Sequence, residues 1–389
     1  MEMKQVYQLV NTSASEVLGK ENVLQEDLQN VVDVGREIEN AQGYDAYVKT
    51  LVNHIGRVVF VDRVYRGSAP SVLMDGWEFG SILEKISSGI PQATANESWE
   101  LEDGASYDPN IFYQPKVSAK FFNKRVTFEV PMSFAEKQVK QSFSGAEQLN
   151  GFLSMLFNAV EKSMTVALDG LIMKTINNMI GETVYNEYSG GTYTGSSGVR
   201  AINLLYLYNQ AHAGATIADV GTALQTPEFI RFAIYVIGLY SDRMGKISTL
   251  FNVGGKERFT PTDLQHIVLL SDFAKSAGVY LYDANGQFNV GNLQLPTKAE
   301  TVPYWQGSGE TYALTDVSKV NVVTSENHSI ELDGILGVIF DRDALGVCCM
   351  DRRTTTAYNA KAEFYTNFAK YDAGYFNDLN ENFVVFFAK

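Results

Sequence analysis

The sequence predicts a mixed α+β protein organised around one long helix. Three observations carry this. A single run, Ser144 to Gly181, keeps a helical apolar period. Lys116 to Val130 alternates as strands do. The chain closes in strand-like runs at Ile335–Phe340, Val347–Met350 and Asn382–Ala388.

The long run opens with Ser144-Gly145-Ala146-Glu147, a serine followed three residues later by glutamate, which can satisfy two orphan N–H groups reciprocally. Leu149, Leu153, Leu156, Val160, Met164, Leu168, Leu171, Ile172, Ile176 and Ile180 recur at spacings of three and four and form one apolar face. Phe152, Met155, Phe157, Val166 and Met173 lie partly off that stripe, so material packs on more than one side. A helix over 145–180 is about 54 Å long at ~1.5 Å per residue. Glu161, Lys162, Asp169 and Lys174 interrupt it as a membrane span, and the off-stripe aromatics spoil a coiled-coil seam. Gly181 is the expected stop.

Before the spine, residues 1–43 read as a polar arm with a helical period in Val23, Leu24, Leu28, Val31, Val32 and Ile38. A short helix is expected over Val48–Ile55, a strand over Arg57–Tyr65, and a second short helix within Trp77–Ile86 (Phe79, Ile82, Leu83, Ile86). Residues 91–115 are acidic and poor in aliphatics. Lys116, Lys120, Lys124 and Arg125 then make the return leg basic, the pattern of a reaching two-stranded excursion. After the spine, Ser189–Gly198 is the most linker-like stretch and marks entry to a second lobe. That lobe holds a helix opening at Thr226-Pro227 and a hairpin, Val279–Val290, turning at Asn285-Gly286. The closing strands are expected beside strands that flank the spine.

At 389 residues the chain can bury a large core in two or three lobes. A net charge of −14 argues against a general nucleic-acid-coating surface, which needs cations on phosphates. The start carries no signal-peptide pattern, and two adjacent cysteines, Cys348 and Cys349, exclude a disulfide scaffold. His54, His212, His266 and His328 are scattered, without metal-ligand spacing. No nucleophile elbow, phosphate loop or dinucleotide fingerprint occurs. The residues offer no catalytic, cofactor-binding or metal site.

The order of parts resembles the major capsid proteins of tailed bacteriophages, with the Hong Kong 97 shell fold. The resemblance rests on Trp99-Glu100-Leu101-Glu102-Asp103-Gly104-Ala105, similar to the segment that begins the family's extended loop. It continues in the return strands 116–130, a short helix Phe134–Ser142, the spine, and the closing segments Gly337–Arg342 and Asn382–Lys389. Tyr47–Val59 is similar to shells of small short-tailed phages of the phi 29 kind. Encapsulin compartment shells share the fold and are one alternative. An acidic, carboxylate-dependent hydrolase is an alternative of another class.

The resemblance implies an N-terminal arm (1–43), a peripheral domain (44–90, 116–186 and 335–389), an extended loop (91–115, continuing into 116–125) and an axial domain (187–334). It implies self-assembly into pentamers and hexamers of an icosahedral or prolate head that encloses double-stranded DNA without reading its sequence. A scaffolding protein, portal and head-associated phage proteins are the implied partners, with no cofactor and no membrane. The protein would be made in the host bacterial cytoplasm and end in the virion. Glu100, Glu102 and Asp103 of one subunit are expected to face Lys116, Lys120, Lys124 and Arg125 of a neighbour. An acidic inner wall is expected from Glu161 and Asp169, or from the arm acids Glu16, Glu21, Glu26, Asp27, Asp33 and Glu37.

Overall fold

The computed structural model describes residues 3–19, 24–25, 30–40, 50, 69–74, 83–91, 93, 103, 110, 112, 114, 116–135, 146–188, 193, 195–280, 299–305, 320–323 and 329–389. The capping box at Ser144, the helix over 48–55, the strand over 57–65, the 285–286 turn, the glycine run 190–191 and most of 99–105 lie outside them.

The spine, α3 (Ala146–Glu187), is 42 residues long, roughly 63 Å. It follows two arm helices, α1 (Met3–Leu18) and α2 (Val31–Asn40). These pack on each other and α1 touches the spine. Gly181 does not end α3. Val184 and Tyr188 extend the buried stripe beyond it, and the Tyr188 hydroxyl donates to the Ala201 carbonyl at 2.7 Å. An apolar surface to cover and a hydrogen bond to make outweigh the ~1 kcal/mol that a glycine costs inside a helix. From Ala167 to Val184 almost every side chain is buried, so this half of the helix runs through the core rather than over it.

Two sheets enclose that half. The first has the order β1–β11–β12–β4, from β1 (Leu73–Met74), β4 (Arg125–Ala135), β11 (Leu345–Asn359) and β12 (Phe364–Asn377). It is antiparallel apart from the β1–β11 edge, with a bulge between Cys349 and Arg352. Pro131 is tolerated because β4 is an edge strand, where a missing N–H costs no ladder bond. The second has the order β5–β13–β10–β6–β7, from β5 (Ala201–Asn203), β6 (Gln265–Leu270), β7 (Ala299–Val302), β10 (Ile335–Asp341) and β13 (Phe383–Phe387). Strands β6, β10 and β13 are buried at every position, which their unbroken apolar runs require. A small pair, β8 (Val320–Val323) with β9 (Ser329–Leu332), also contacts the spine.

Helices α4 (Leu204–Ala211), α5 (Val220–Leu224), α6 (Pro227–Met244) and α7 (Ser271–Tyr280) complete the second lobe. Pro227 takes the first turn of α6 as expected. Residues 279–280, expected to start a hairpin strand, are instead the end of α7. Of the three closing runs, only Asn382–Ala388, as β13, pairs directly with a strand flanking the spine; Ile335–Phe340 lies in β10 between β13 and β6, and Val347–Met350 in β11 between β1 and β12. Strand β12 pairs with β4 ahead of α3, and β13 pairs in parallel with β5 after it.

Three other expectations change. Residues 83–88 form a strand, β2 (Leu83–Ser88), not a helix. Leu83 and Ile86 fit a helical spacing, but Leu83, Lys85 and Ser87 face in while Glu84, Ile86 and Ser88 face out, a period of two. Phe134 belongs to β4 rather than to a helix over 134–142. Asp169 is only 8 % exposed and Glu161 is half-buried, so in the subunit Asp169 offers no wall charge. Of the arm acids, Glu16, Asp33 and Glu37 are exposed.

Leu168, 2 % exposed, should lose about 2–5 kcal/mol of stability on replacement by alanine, through lost methylenes and the cavity left behind. Val166→Ala, on a side chain 40 % exposed, should cost roughly 1 kcal/mol or less. Denaturant midpoints in the reverse order would contradict the two-walled spine.

Candidate inter-subunit surface

Strand β2 pairs antiparallel with β3 (Val117–Phe122) over six residues, from Leu83 opposite Phe122 to Ser88 opposite Val117. The Gly89 N–H donates to the Lys116 carbonyl at 2.7 Å and continues the ladder. The excursion therefore begins at Leu83, eight residues before the expected start, and its outgoing strand carries Lys85. At its base the chain passes through Asn123-Lys124 directly into β4 of the first sheet, where the Tyr375 N–H donates to the Lys124 carbonyl at 3.1 Å.

Pairing sorts the ribbon into two faces. The inward face holds Leu83 with Phe122, Lys85 with Lys120, and Ser87 with Ser118. The Phe122 ring lies 5.2 Å from that of Phe376, and the two serine hydroxyls are 2.9 Å apart. The two lysines reach the turn between β12 and β13. Asp378 receives Lys120 Nζ on Oδ1 at 2.8 Å and Lys85 Nζ on Oδ2 at 3.0 Å. Lys85 Nζ also meets Glu381 Oε1 at 2.8 Å and the Asp343 carbonyl at 3.1 Å. Arg258 Nε joins at 3.1 Å from the same Glu381 oxygen.

Both carboxylates are deep, with the Asp378 side chain 2 % and the Glu381 side chain 9 % exposed. Burial alone would drive the Lys85 ammonium pKa down, but the bond and charge of Glu381 and the charge of Asp378 together hold it above the usual lysine value. Burial alone would push the Asp378 carboxyl up, yet Lys120, Lys85 and the Asn380 N–H hold it below the usual aspartate value.

The outward face is mostly apolar, with Glu84 opposite Phe121 and Ser88 opposite Val117. Val117, Ile86 and Phe121 are 60 %, 66 % and 63 % exposed, and Ala119 stands opposite Ile86. Val117, Ala119 and Phe121 share one side of β3, and that side is the open one. Beside it lies a groove of about 300 Å³, bounded by Phe121 and Lys124 of the ribbon base, Lys174, Asn178 and Met179 of the spine, and Tyr375 of β12.

Of the residues expected to meet across subunits, Lys116, Lys124, Arg125 and Asp103 are exposed. Lys120 differs: Asp378 of its own chain engages it. Glu100 and Glu102 lie outside the described residues. The partners that sequence reasoning missed are Lys85, Arg258, Asp378 and Glu381. Only the alternation of 83–88 offered a signal, and Asp378 is 293 residues from Lys85 along the chain. Among the described residues no group of three His, Cys, Asp or Glu side chains could hold a metal ion, and no helix is long and apolar enough to cross a membrane.

A family model for the Phi29-like phage major capsid protein matches residues 10–387. The chain belongs to that family. Among solved structures, this capsid protein is similar to a chain in the capsid structure of Staphylococcus phage Andhra, at 12 % identity and a TM-score of 0.52, over 84 % of this chain and 86 % of that one. A chain from bacteriophage P68, in a structure of its head fiber and inner core protein, matches at 10 % identity over 85 % and 86 % of the two chains, with a TM-score of 0.47. One in the capsid structure of cyanophage P-SCSP1u matches at 9 % identity over 85 % and 90 %, with a TM-score of 0.44. Those two scores are too low to carry weight. The Andhra likeness shows a shared mixed α/β fold. No curated protein sequence matches the chain. A phage major capsid protein is a structural component of the virion shell, which decides against the hydrolase and compartment-shell alternatives.

The ion cluster makes a pH prediction. The depressed Asp378 pKa gives stability that is complete above the unfolded value and lost as pH falls through the folded one; the raised Lys85 pKa gives stability complete below its ordinary value and lost above the folded one. Asp378→Asn should therefore lower the thermal midpoint by a near-constant amount between about pH 5 and about pH 9. The deficit should shrink outside that window on both sides. Paired melts of the two proteins measure it, and a deficit that widens with acid would contradict the assignment.

Proposed function

We propose that the chain assembles through its ribbon into hexamers and pentamers of an icosahedral or prolate head of the Hong Kong 97 type, enclosing double-stranded DNA without sequence-specific contacts. The outward face of the ribbon carries this reading. A β-ribbon exposing Ile86, Val117 and Phe121 on one face, with Glu84 its one charge, is poorly suited to water and well suited to a partner. In a shell of identical copies the partner is another subunit, joined heterologously so that contacts close into rings.

Charge supports the same arrangement. Lys116, Lys124 and Arg125 are exposed, with no ion-pair partner among the described residues, and suit the acidic Glu100, Glu102 and Asp103 of a neighbour. The first sheet with the spine corresponds to a peripheral domain. The second sheet with helices α4 to α7 corresponds to an axial domain around the five- and six-fold axes, and here it includes β10 and β13 from the 335–389 segment. The partners that follow are a scaffolding protein, a portal and other head proteins. Net acidity is consistent with a wall that does not glue DNA to itself.

Phe121→Ser and Ile86→Ser should leave the subunit melt within about 1 kcal/mol of wild type, since both side chains are exposed already. Particle yield, counted by negative-stain microscopy, should fall at least about tenfold for the pair, the loss expected when a hydrophobic contact centre is removed. Shells formed at wild-type yield would refute the ribbon face as an inter-subunit contact.

A further inference from the structure

We propose that Lys85 and Lys120 are positioning residues for assembly: together with Asp378 and Glu381 they hold the ribbon in the one pose that presents its apolar face to a neighbour. The inference rests on that face being an inter-subunit surface and adds what aims it.

A ribbon of two six-residue strands has little to fix its angle. Isolated two-stranded pairs are marginal in water, and the apolar part of the inward face is only Leu83 and Phe122, both half-buried. The remaining inward residues make the ribbon worse on its own. Lys85 and Lys120 are direct cross-strand partners, and like charges in that relation repel. The turn they meet has the mirror problem. Asp378 and Glu381 are buried together, with Asp341 and Asp343 close by in the same loop region. Each half is electrostatically unfavourable apart and neutralised when joined. Asp378 gives one oxygen to each lysine, while Glu381 couples Lys85 to Arg258.

Such a lock discriminates between poses. If the ribbon swings off the turn, near-buried Asp378 loses both lysines, Glu381 keeps only Arg258, and the lysine pair again faces itself. Position 120 needs a cation with reach, and Asp378 needs two donors at one point, so alternative registers of ribbon on turn leave a charge unmatched. The same ribbon face is then offered by every copy.

The test uses the full-length chain and three readouts: backbone hydrogen exchange of 83–88 and 117–122 in the unassembled subunit, assembly rate by light scattering with microscopy of the product, and the subunit melt. Lys85→Gln with Lys120→Gln should raise ribbon exchange and slow assembly by about tenfold each, because opening then breaks no ion pair. The melt should fall about as much as in Asp378→Asn, because both changes break the same ion cluster, so exchange and assembly carry the comparison. Lys85→Arg with Lys120→Arg should keep wild-type exchange and assembly, as charge and reach are retained. Asp378→Asn should reproduce the glutamine pair; where it unfolds the subunit, Lys120→Gln alone, on a side chain 40 % exposed, carries the comparison. A glutamine pair that exchanges and assembles like a competent wild type overturns this inference and leaves the inter-subunit surface standing. An arginine pair as slow as the glutamine pair overturns it too, since the effect would then be one of shape. A wild-type chain that forms no particles overturns the surface reading, and this one with it.

Discussion

The helix between Ala167 and Val184 can face water only around Lys174 and Asn178, and the rest of the subunit follows from that constraint. One sheet can cover one flank of a helix; this one takes two, with the β8–β9 pair besides. Two of the polar groups it buries are met from outside the helix. The Asn177 amide donates to the Trp305 carbonyl at 2.7 Å, and the Asn377 amide donates to the Thr175 carbonyl at 2.8 Å. These bonds cross from helix to wall, so they fix the rotation and height of the spine, which apolar packing alone leaves loosely specified.

The spine was legible because its signal is long and periodic, and the closing strands because unbroken runs such as Ile335–Phe340 have one natural home, a sheet buried on both faces. The helix end was misjudged at Gly181 because glycine is a local signal, whereas the reason to continue lies in Ala201 and the sheet beyond. Residues 83–88 are a harder case. Leu83 and Ile86 sit three apart, which suits a helix, and only the partner strand thirty residues later decides for the alternation. Local pattern was ambiguous there, and tertiary pairing settled it.

Much less of the candidate surface could be read. Basic residues at 116, 120, 124 and 125 look equivalent in sequence, but position along the ribbon separates them: Lys120 lies over Asp378, whereas Lys116, four residues away, is exposed. A charge census cannot see which lysine lies over an acid until the docking is known. Asp378 and Glu381 were invisible for another reason. They come from a short turn whose acids are ordinary in a chain with 45 of them, and their meaning arises only from what docks there.

The placement of β13 bears on the order in which the molecule can fold. It fills the gap between β5 and β10, pairing Val385 with Ala201 across almost half the chain. Until residue 387 has been synthesised, β5 lacks its neighbour and β10 presents a bare hydrogen-bonding edge, the kind of edge that recruits strands from other chains. Pairings this distant in sequence also close slowly, because loop entropy is lost before contacts repay it. The second sheet is thus completed by the last strand in chain order. An unfinished chain lacks that strand, and mis-association before it docks is the hazard that accompanies this order.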